Sequence, residues 1–358
     1  MKIRAIRASL RNLVLSKPYT IATKVVSDVE SVFFEVELEN GITGLGAANP
    51  AAFVVGETPA ESFANLQTAT TEHLLIGADI RHFQGLIDAV AVAFPDRPGT
   101  LAAVDIALHD AFCTYIGVPV VAFYGQHHRE LPTSVTIGIM DVAGTIEAAA
   151  DYKAQGFRVL KVKTGLDVAE DVERISKLRE HFGGYFTIRV DANQGYQPSD
   201  LHTFIEKTAQ KNIEIIEQPF LVGNEAAQLG FSPEVRRLLV ADESLKNPRS
   251  ALLWASEPHH FGVYNIKLMK CGGIRGAMEI ANIARYAGID LFWGCNDESC
   301  VSIAAALHAA FACPHTRYLD LDGSFDLAKD AASGGFVVEN GMMRLTDAAG
   351  IGCATGMN

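Results

Sequence analysis

The chain is poor in the features that would place it in several large protein classes. Its six cysteines, at positions 113, 271, 295, 300, 313 and 353, form no C-x-x-C pair and have no histidines at zinc spacing. That argues against a disulfide framework or a cysteine-rich zinc module and predicts reduced thiols in a cytosolic protein. No window approaches about 18 uninterrupted apolar residues, so no membrane-spanning helix is expected. The apolar stretch after Lys2, Arg4 and Arg7 is broken by Arg11 and Asn12, too early for a signal peptide. A soluble, cytoplasmic location is the expectation. Cationic side chains are scarce, 30 Lys and Arg against 42 Asp and Glu, for a formal net charge of −12. Such a surface repels a phosphate backbone, so nucleic acid is not an expected partner, and a cationic ligand is accommodated more easily than an anionic one.

The remaining composition, 49% hydrophobic and 20% charged with 31 Gly and 13 Pro, is that of a folded globular protein. At roughly 100–200 residues per domain, the 358 residues suggest two domains, or one barrel with an appendage. Residues 1–46 read as antiparallel β: Val32 to Glu39 alternates toward the turn Asn40-Gly41, and a short strand runs into Gly44-Leu45-Gly46. Thr58-Pro59-Ala60-Glu61 is a helix start, and the pattern stays helical to about Gly125. Within it, Ala102, Ala103, Asp105, Ile106, Ala107, His109, Asp110 and Ala111 predict an Ala-rich amphipathic helix.

Downstream, apolar strand-like runs alternate with charged helical stretches, the mark of β–α units around a parallel sheet. The runs cover 134–139, 159–163, 187–191, 213–217, 238–242, 263–267, 290–294 and 317–320. Eight are what a (β/α)8-type barrel requires. Lys163, Asp191, Glu217, Asp242, Lys267, Cys295 and Asp320 stand at or just past run ends, at spacings of 28, 26, 25, 25, 28 and 25 positions. A doubly wound sheet is the rival, but no G-x-G-x-x-G follows an early strand.

Barrel active sites sit at the C-terminal strand ends, where these charges would gather. Asp191, Glu217 and Asp242 close three consecutive strands; as neighbours they would repel, and a divalent cation is the economical explanation. Oxygen ligands without histidine or cysteine favour Mg²⁺ over Zn²⁺. The alternative is that each is a helix cap or a loop charge. Lys161 and Lys163, two apart on a strand, both point inward, and Lys267 ends the sixth run roughly opposite. Lys161 is either part of the site or a structural ion pair, whereas Lys163 and Lys267 would flank a substrate carbon, one removing a proton and the other returning it.

Lys161-Val162-Lys163, Asp191-Ala192-Asn193, Ile216-Glu217-Gln218-Pro219, Ala241-Asp242-Glu243-Ser244 and Asn265-Ile266-Lys267 together resemble the enolase superfamily in its muconate lactonizing subgroup. A lysine or histidine base beside Mg²⁺ is the general pattern of such sites. The resemblance covers the whole chain and implies an enolase-like modified TIM barrel over 126–325. An N-terminal α+β capping domain, 1–125, would be completed by 326–358, with loops near 17–24 and 49–56 closing over the barrel mouth. No His-Asp dyad of the mandelate racemase kind stands at the sixth and seventh strand ends. Asp320-Leu321-Asp322 resembles the D-x-D motif by which dipeptide epimerases hold the substrate's α-ammonium. Gly294-Cys295-Asn296-Asp297-Glu298-Ser299 resembles their seventh-strand motif, with Asn296 where methionine is common. Two aspartates at i and i+2 on a strand share a face and suit an ammonium, although Asp322 could instead cap a turn.

The resemblance thus implies an isomerase catalysing Mg²⁺-dependent 1,1-proton transfer, Mn²⁺ being able to substitute, at the Cα of the C-terminal residue of an unblocked dipeptide. The metal ligands would be Asp191, Glu217 and Asp242, and the acid/base pair Lys163 and Lys267, with pKa values depressed by Lys161 and the metal. Lys161, Asp320, Asp322, Cys295, Asp297, Lys24 and Phe53 would contact the substrate. Residues 51–55 read as an apolar pocket wall, favouring an apolar side chain, with Lys24 pairing an acidic one or Asp297 a cationic one as the competitors. A cycloisomerase, o-succinylbenzoate synthase or N-acylamino acid racemase of the same fold is the alternative, and a non-catalytic binding barrel a further one. The family commonly assembles, so a homo-oligomer is also expected.

Overall fold

A computed structural model describes residues 1–21 and 24–355, with side chains described outside 17–26. The N-terminal strands Ile3–Ile21, Lys24–Leu38 and Thr43–Ala48 pair in sequence order as an antiparallel sheet. The Asn40-Gly41 turn lies where the alternation ends, with Gly41 at φ +85°. The helix Pro59–Leu66 starts at Thr58, whose hydroxyl accepts from the Glu61 amide while Glu61 reaches back to the Thr58 amide.

The Ala-rich helix Pro98–Ile116 is not amphipathic: residues from both sides of it, including Ala103, Asp105, Ala107 and His109, are buried. It lies between the cap strand Thr43–Ala48 and the barrel turn Leu268–Cys271, so both of its faces are covered. The strand can approach only because it carries glycines there. A Cβ on Gly46 would stand 2.0 Å from the Ala103 carbonyl oxygen, and one on Gly44 2.2 Å from that of Ala107. Asp105 then accepts from the amides of Ile274, at 2.6 Å, and Arg275, at 3.2 Å, capping the barrel helix Ile274–Ala287 from the cap side.

The eight expected runs form one parallel sheet in sequence order: Val135–Ile137, Val159–Lys163, Thr187–Asp191, Ile213–Glu217, Leu239–Ala241, Val263–Ile266, Asp290–Gly294 and Thr316–Asp320. The Ser134 amide bonds to the Leu319 carbonyl at 3.0 Å, and Thr133 bridges Leu319, joining the first strand to the eighth. The fifth and sixth strands end one residue before Asp242 and Lys267, which therefore begin the loops.

Because side chains alternate across a strand, the barrel interior is layered. Ile215, Val240, Val263 and Phe292 form an apolar plug against which Tyr318 packs. The Arg189 guanidinium lies over the rings of Phe292 and Tyr318, at 5.4 and 5.1 Å, and ion-pairs with Glu214. Two residues further along, the same strands and the start of the loop after the fifth present Glu217, Asp242, Asn265, Asp320 and Asp191. The charged layer therefore sits on a floor of apolar side chains and the Arg189–Glu214 pair.

The C-terminal strand Ala332–Gly334 pairs with Cys353–Thr355, and the hairpin Phe336–Glu339/Met342–Leu345 pairs with Leu131–Pro132. The Ile351 amide donates to Asp110 of the cap helix at 2.8 Å. Among the described residues, the six cysteines are free and no helix is long and apolar enough to cross a membrane.

Candidate active site

Lys161 is the hub of the charged layer. Its Nζ lies 2.8 Å from Glu217 Oε2, 2.8 Å from Asp320 Oδ2 and 3.2 Å from Asp191 Oδ2. Burial alone would depress this ammonium, but Asp320, Glu217 and Asp191 outweigh it and hold its pKa well above the usual lysine value. Lys163 Nζ contacts Asp191 Oδ2 at 2.7 Å and Asn193 Oδ1 at 3.0 Å. Lys267 Nζ lies 2.9 Å from Asp242 Oδ2. The two lysines end the second strand and follow the sixth, four strands apart around the barrel.

The carboxylates differ in electrostatics although all are buried. For Asp191, burial pushes the pKa up, but Lys163 and Lys161 bring it down to about 2. Asp242 is held well below the carboxylate range because Lys267 and Lys270 overcome its burial. Glu217 goes the other way: burial, then repulsion from Asp191, pushes it up to about 8. Its Oε1 accepts from Asn265 Nδ2, whereas Oε2, close to Lys161, has no well-aligned donor. Asn265 is itself enclosed, since a Cβ on Gly294 would stand 2.5 Å from its Oδ1.

Among the described residues, no three carboxylate, histidine or cysteine side chains form a ready-made metal cage, because Asp191, Glu217 and Asp242 each face a lysine. The donor set nevertheless fits a hard divalent cation. It consists of three buried carboxylates on adjacent strands, and the poorly satisfied Glu217 marks where positive charge is short.

For Lys267 the electrostatics of this arrangement run against the expected depression. Lys267 is raised, since the Asp242 carboxylate beside it outweighs both burial and the repulsion of Lys161. The two aspartates of the D-x-D stretch differ in their partners. Asp320 has both oxygens engaged, Oδ1 by Ser134 Oγ at 2.6 Å and Oδ2 by Lys161, and is 3% exposed. Asp322 lies beyond the strand end and is half-buried; its Oδ2 accepts from the Thr136 amide at 2.9 Å, and Oδ1 is 4.0 Å from Cys295 Sγ. Burial, then repulsion from Asp320, pushes Asp322 up to about 7, the signature of a carboxyl short of a cation.

Cys295 braces this strand end, its Sγ accepting from the Gly323 amide and contacting the Asp320 carbonyl. Burial, then repulsion from Asp322, keeps its thiol well above the usual range. Asp297 is half-buried in the same loop. Phe53 does not form a pocket wall: it is 89% exposed on the four-residue helix Ala52–Val55, which buries no residue. The side chain of Lys24 lies outside the described residues.

The fold also brings in residues that the sequence does not single out. Lys270 donates to the Asp242 carbonyl and carboxylate and to the Asn265 carbonyl, fixing one side of Asp242. Its spacing of three from Lys267, on the turn Leu268–Cys271, is the available signal. Asn193 and Gln194, two and three residues past Asp191, and Gln218, directly after Glu217, all adopt positive φ (41°, 69° and 34°). The Gln218 side chain holds this geometry by accepting from the amides of Asp242 and Ser244 and donating to Ser244 Oγ.

Comparison with known proteins is consistent with this geometry. Residues 5–125 match the mandelate racemase / muconate lactonizing enzyme N-terminal domain, and 144–355 the enolase C-terminal domain-like family. An L-Lys-D/L-Arg epimerase of Desulforapulum autotrophicum is 50% identical over 355 residues, 98% of this chain and 99% of the relative. A dipeptide epimerase of Methylococcus capsulatus, solved with Mg and L-Arg-D-Lys, superposes with a TM-score of 0.96 at 45% identity, covering 99% of this chain and 100% of that one. One from Enterococcus faecalis, solved with Mg and L-Leu-L-Tyr, gives 0.92 at 30% identity, covering 99% and 100%. The chain belongs to the enolase superfamily and is an isomerase of the mandelate racemase / muconate lactonizing enzyme type, related over nearly its whole length to dipeptide epimerases.

Proposed function

We propose that the protein is a Mg²⁺-dependent epimerase of unblocked dipeptides that prefers a cationic C-terminal residue. The observation that carries the reaction type is the pair Lys163 and Lys267 on opposite sides of the barrel mouth, with the buried carboxylates between them. Such a pair can remove a Cα proton on one face and return it on the other, so either epimer can enter and either can leave. Lys163 is assigned to the L epimer and Lys267 to the D epimer. Asp191, Glu217 and Asp242 would hold Mg²⁺, which when bound supplies positive charge to the substrate carboxylate as the carbanion forms. Lys161, already bonded to that carboxylate set, adds a second fixed charge. Asp322 is the acceptor for the α-ammonium, since its Oδ1 is not tied to the backbone. Lys267 must exchange its pairing with Asp242 before it can act as a base.

The cationic preference replaces the apolar expectation. The exposed Phe53 gives no apolar wall, and the more similar relatives are Lys/Arg epimerases. Asp297 at the seventh strand end, in a chain of net charge −12, suits a cationic side chain. Exchange of the Cα proton in D₂O with Mg²⁺, followed by mass and NMR on L-Lys-L-Arg, L-Ala-L-Leu and L-Ala-L-Glu, tests this. The cationic dipeptide should exchange fastest and yield both epimers. A new C=C bond would instead indicate elimination chemistry, and a win by either other dipeptide would refute the specificity.

A further inference from the structure

The loop at residues 49–56 is held at its two ends by different partners. At its far end Glu57, fully buried, accepts from the amides of Gly99 and Thr100 and from the hydroxyls of Thr100 and Ser62, so it is fixed to the cap helix Pro98–Ile116. At its near end Asn49 is fixed to the barrel. Its Nδ2 donates to the Asp297 carbonyl at 2.5 Å, and its own carbonyl accepts from Asn296 Nδ2 at 3.1 Å. The Asn49 amide also lies 3.2 Å from the sulfur of Met269, two residues past Lys267.

The barrel side of this reciprocal pair is braced in turn. The Asn296 amide donates to Glu298 Oε1 at 2.8 Å, and the Glu298 amide to the Gly323 carbonyl at 3.1 Å. The Gly323 amide donates to Cys295 Sγ at 3.3 Å. Loop 295–298 thus bridges the cap loop and the segment carrying Asp322. Between the ends, the buried Pro50 packs on Gly99 and residues 52–55 contribute no buried side chain, so the link from this loop to the barrel is made at Asn49.

We propose that Asn49 and Asn296 are positioning residues that set side-chain selectivity: their reciprocal hydrogen bonds lock the cap loop onto the seventh-strand loop and so fix Asp297 where the cationic side chain of the dipeptide is read. This rests on the function proposed above. Asparagine is needed at 296 because its amide reaches across to a main-chain carbonyl. A methionine there fills similar space but donates nothing, leaving the Asn49 carbonyl without that partner and the two loops joined by one of their two hydrogen bonds.

The test compares Asn296→Met, Asn49→Ala and the double variant with the wild type, measuring kcat and KM separately on L-Lys-L-Arg and L-Ala-L-Leu with Mg²⁺, alongside thermal unfolding midpoints. Each single variant should lower the preference for the cationic over the apolar dipeptide by about five- to tenfold, mainly through KM. The double variant should lose no more than the worse single one, because one clamp is broken either way. A merely structural contact would lower both substrates equally and leave the ratio unchanged; that result, or fully additive losses, overturns the inference while leaving the proposed function standing. Failure of the wild type to act on L-Lys-L-Arg would overturn the functional reading and this one with it. Should Asn296→Met fail to fold, the same selectivity ratio is read from Asn49→Ala on the cap.

Discussion

At the barrel mouth Lys161 is 3% exposed and touches three carboxylates, whereas Phe53 on the cap loop is 89% exposed in a helix that buries no residue. Most of the charged layer is tightly paired, its loops carry positive-φ residues, and the apolar cluster of Ile215, Val240, Val263 and Phe292 lies below it. The 49–56 loop is held by hydrogen bonds near its ends and by the buried Pro50. A group that must move a proton needs fixed geometry and excluded water, and charges buried without partners would destabilise the fold. A segment that selects among side chains can vary at little cost to stability. On the proposed reading, chemistry and selectivity reside in regions of very different packing, joined through loop 295–298.

The sharpest way to break this contrast is to remove a base. Lys163→Ala or Lys267→Ala should each stop net epimerisation, by roughly three orders of magnitude or more, while Cα exchange from one epimer survives. Proton NMR in D₂O on each epimer separately measures this, and normal epimerisation by both variants would refute the two-base assignment. Next, Asp242→Asn or Glu217→Gln should weaken Mn²⁺ binding by at least about tenfold, read by titration independently of turnover. Unchanged affinity would remove those residues from the ligand set.

A smaller effect is expected at the ammonium end. Asp322→Asn should cost about tenfold in kcat/KM on an unblocked dipeptide and much less on its N-acetyl counterpart. Since burial and Asp320 push the Asp322 carboxyl up to about 7, the wild-type KM for the unblocked dipeptide should rise as pH falls through that region. Equal losses on blocked and unblocked substrates would return Asp322 to a structural role.

The smallest effect concerns stability. Burial raises Glu298 to about 7 from an ordinary 4.5, so the folded state binds its proton more tightly than the unfolded state. The stabilisation is complete below about pH 4.5 and lost as pH rises through 7, a contribution on the order of 1–3 kcal/mol. Glu298→Gln, which keeps an oxygen for the Asn296 amide, should reduce the decline in unfolding midpoint between pH 5 and 8. Asp110, also raised to about 7 by burial, would retain part of it. An unchanged pH slope would show that Glu298 titrates elsewhere.

Much of the barrel was legible because period and spacing are local properties. Strand runs recur at intervals set by one β–α unit, and the charges at their ends fall at fixed positions of that unit. Lys161, Lys163, Asp191, Glu217, Asp242 and Lys267 are brought together as their spacing implied. The double burial of the helix Pro98–Ile116 was not legible, because it depends on what lies on the helix's second side and no helical period records that. Nor were the roles of Lys270 and Gln218, which are bonds to groups 24 to 28 residues away.

The sequence alone determined the set of charges, their order around the barrel and the placing of two lysines across its rim, since covalent spacing and strand alternation oblige inward residues at successive strand ends to share one rim. Only the tertiary structure decided how those charges pair. It committed Asp320 to Lys161 and Ser134, left Asp322 at the open end, turned Phe53 out to solvent and joined Asn49 to Asn296 across 247 residues of chain. The physical reason is that partner choice depends on distances of a few ångströms and on burial, both set by how the loops fold over one another and neither written in any local pattern.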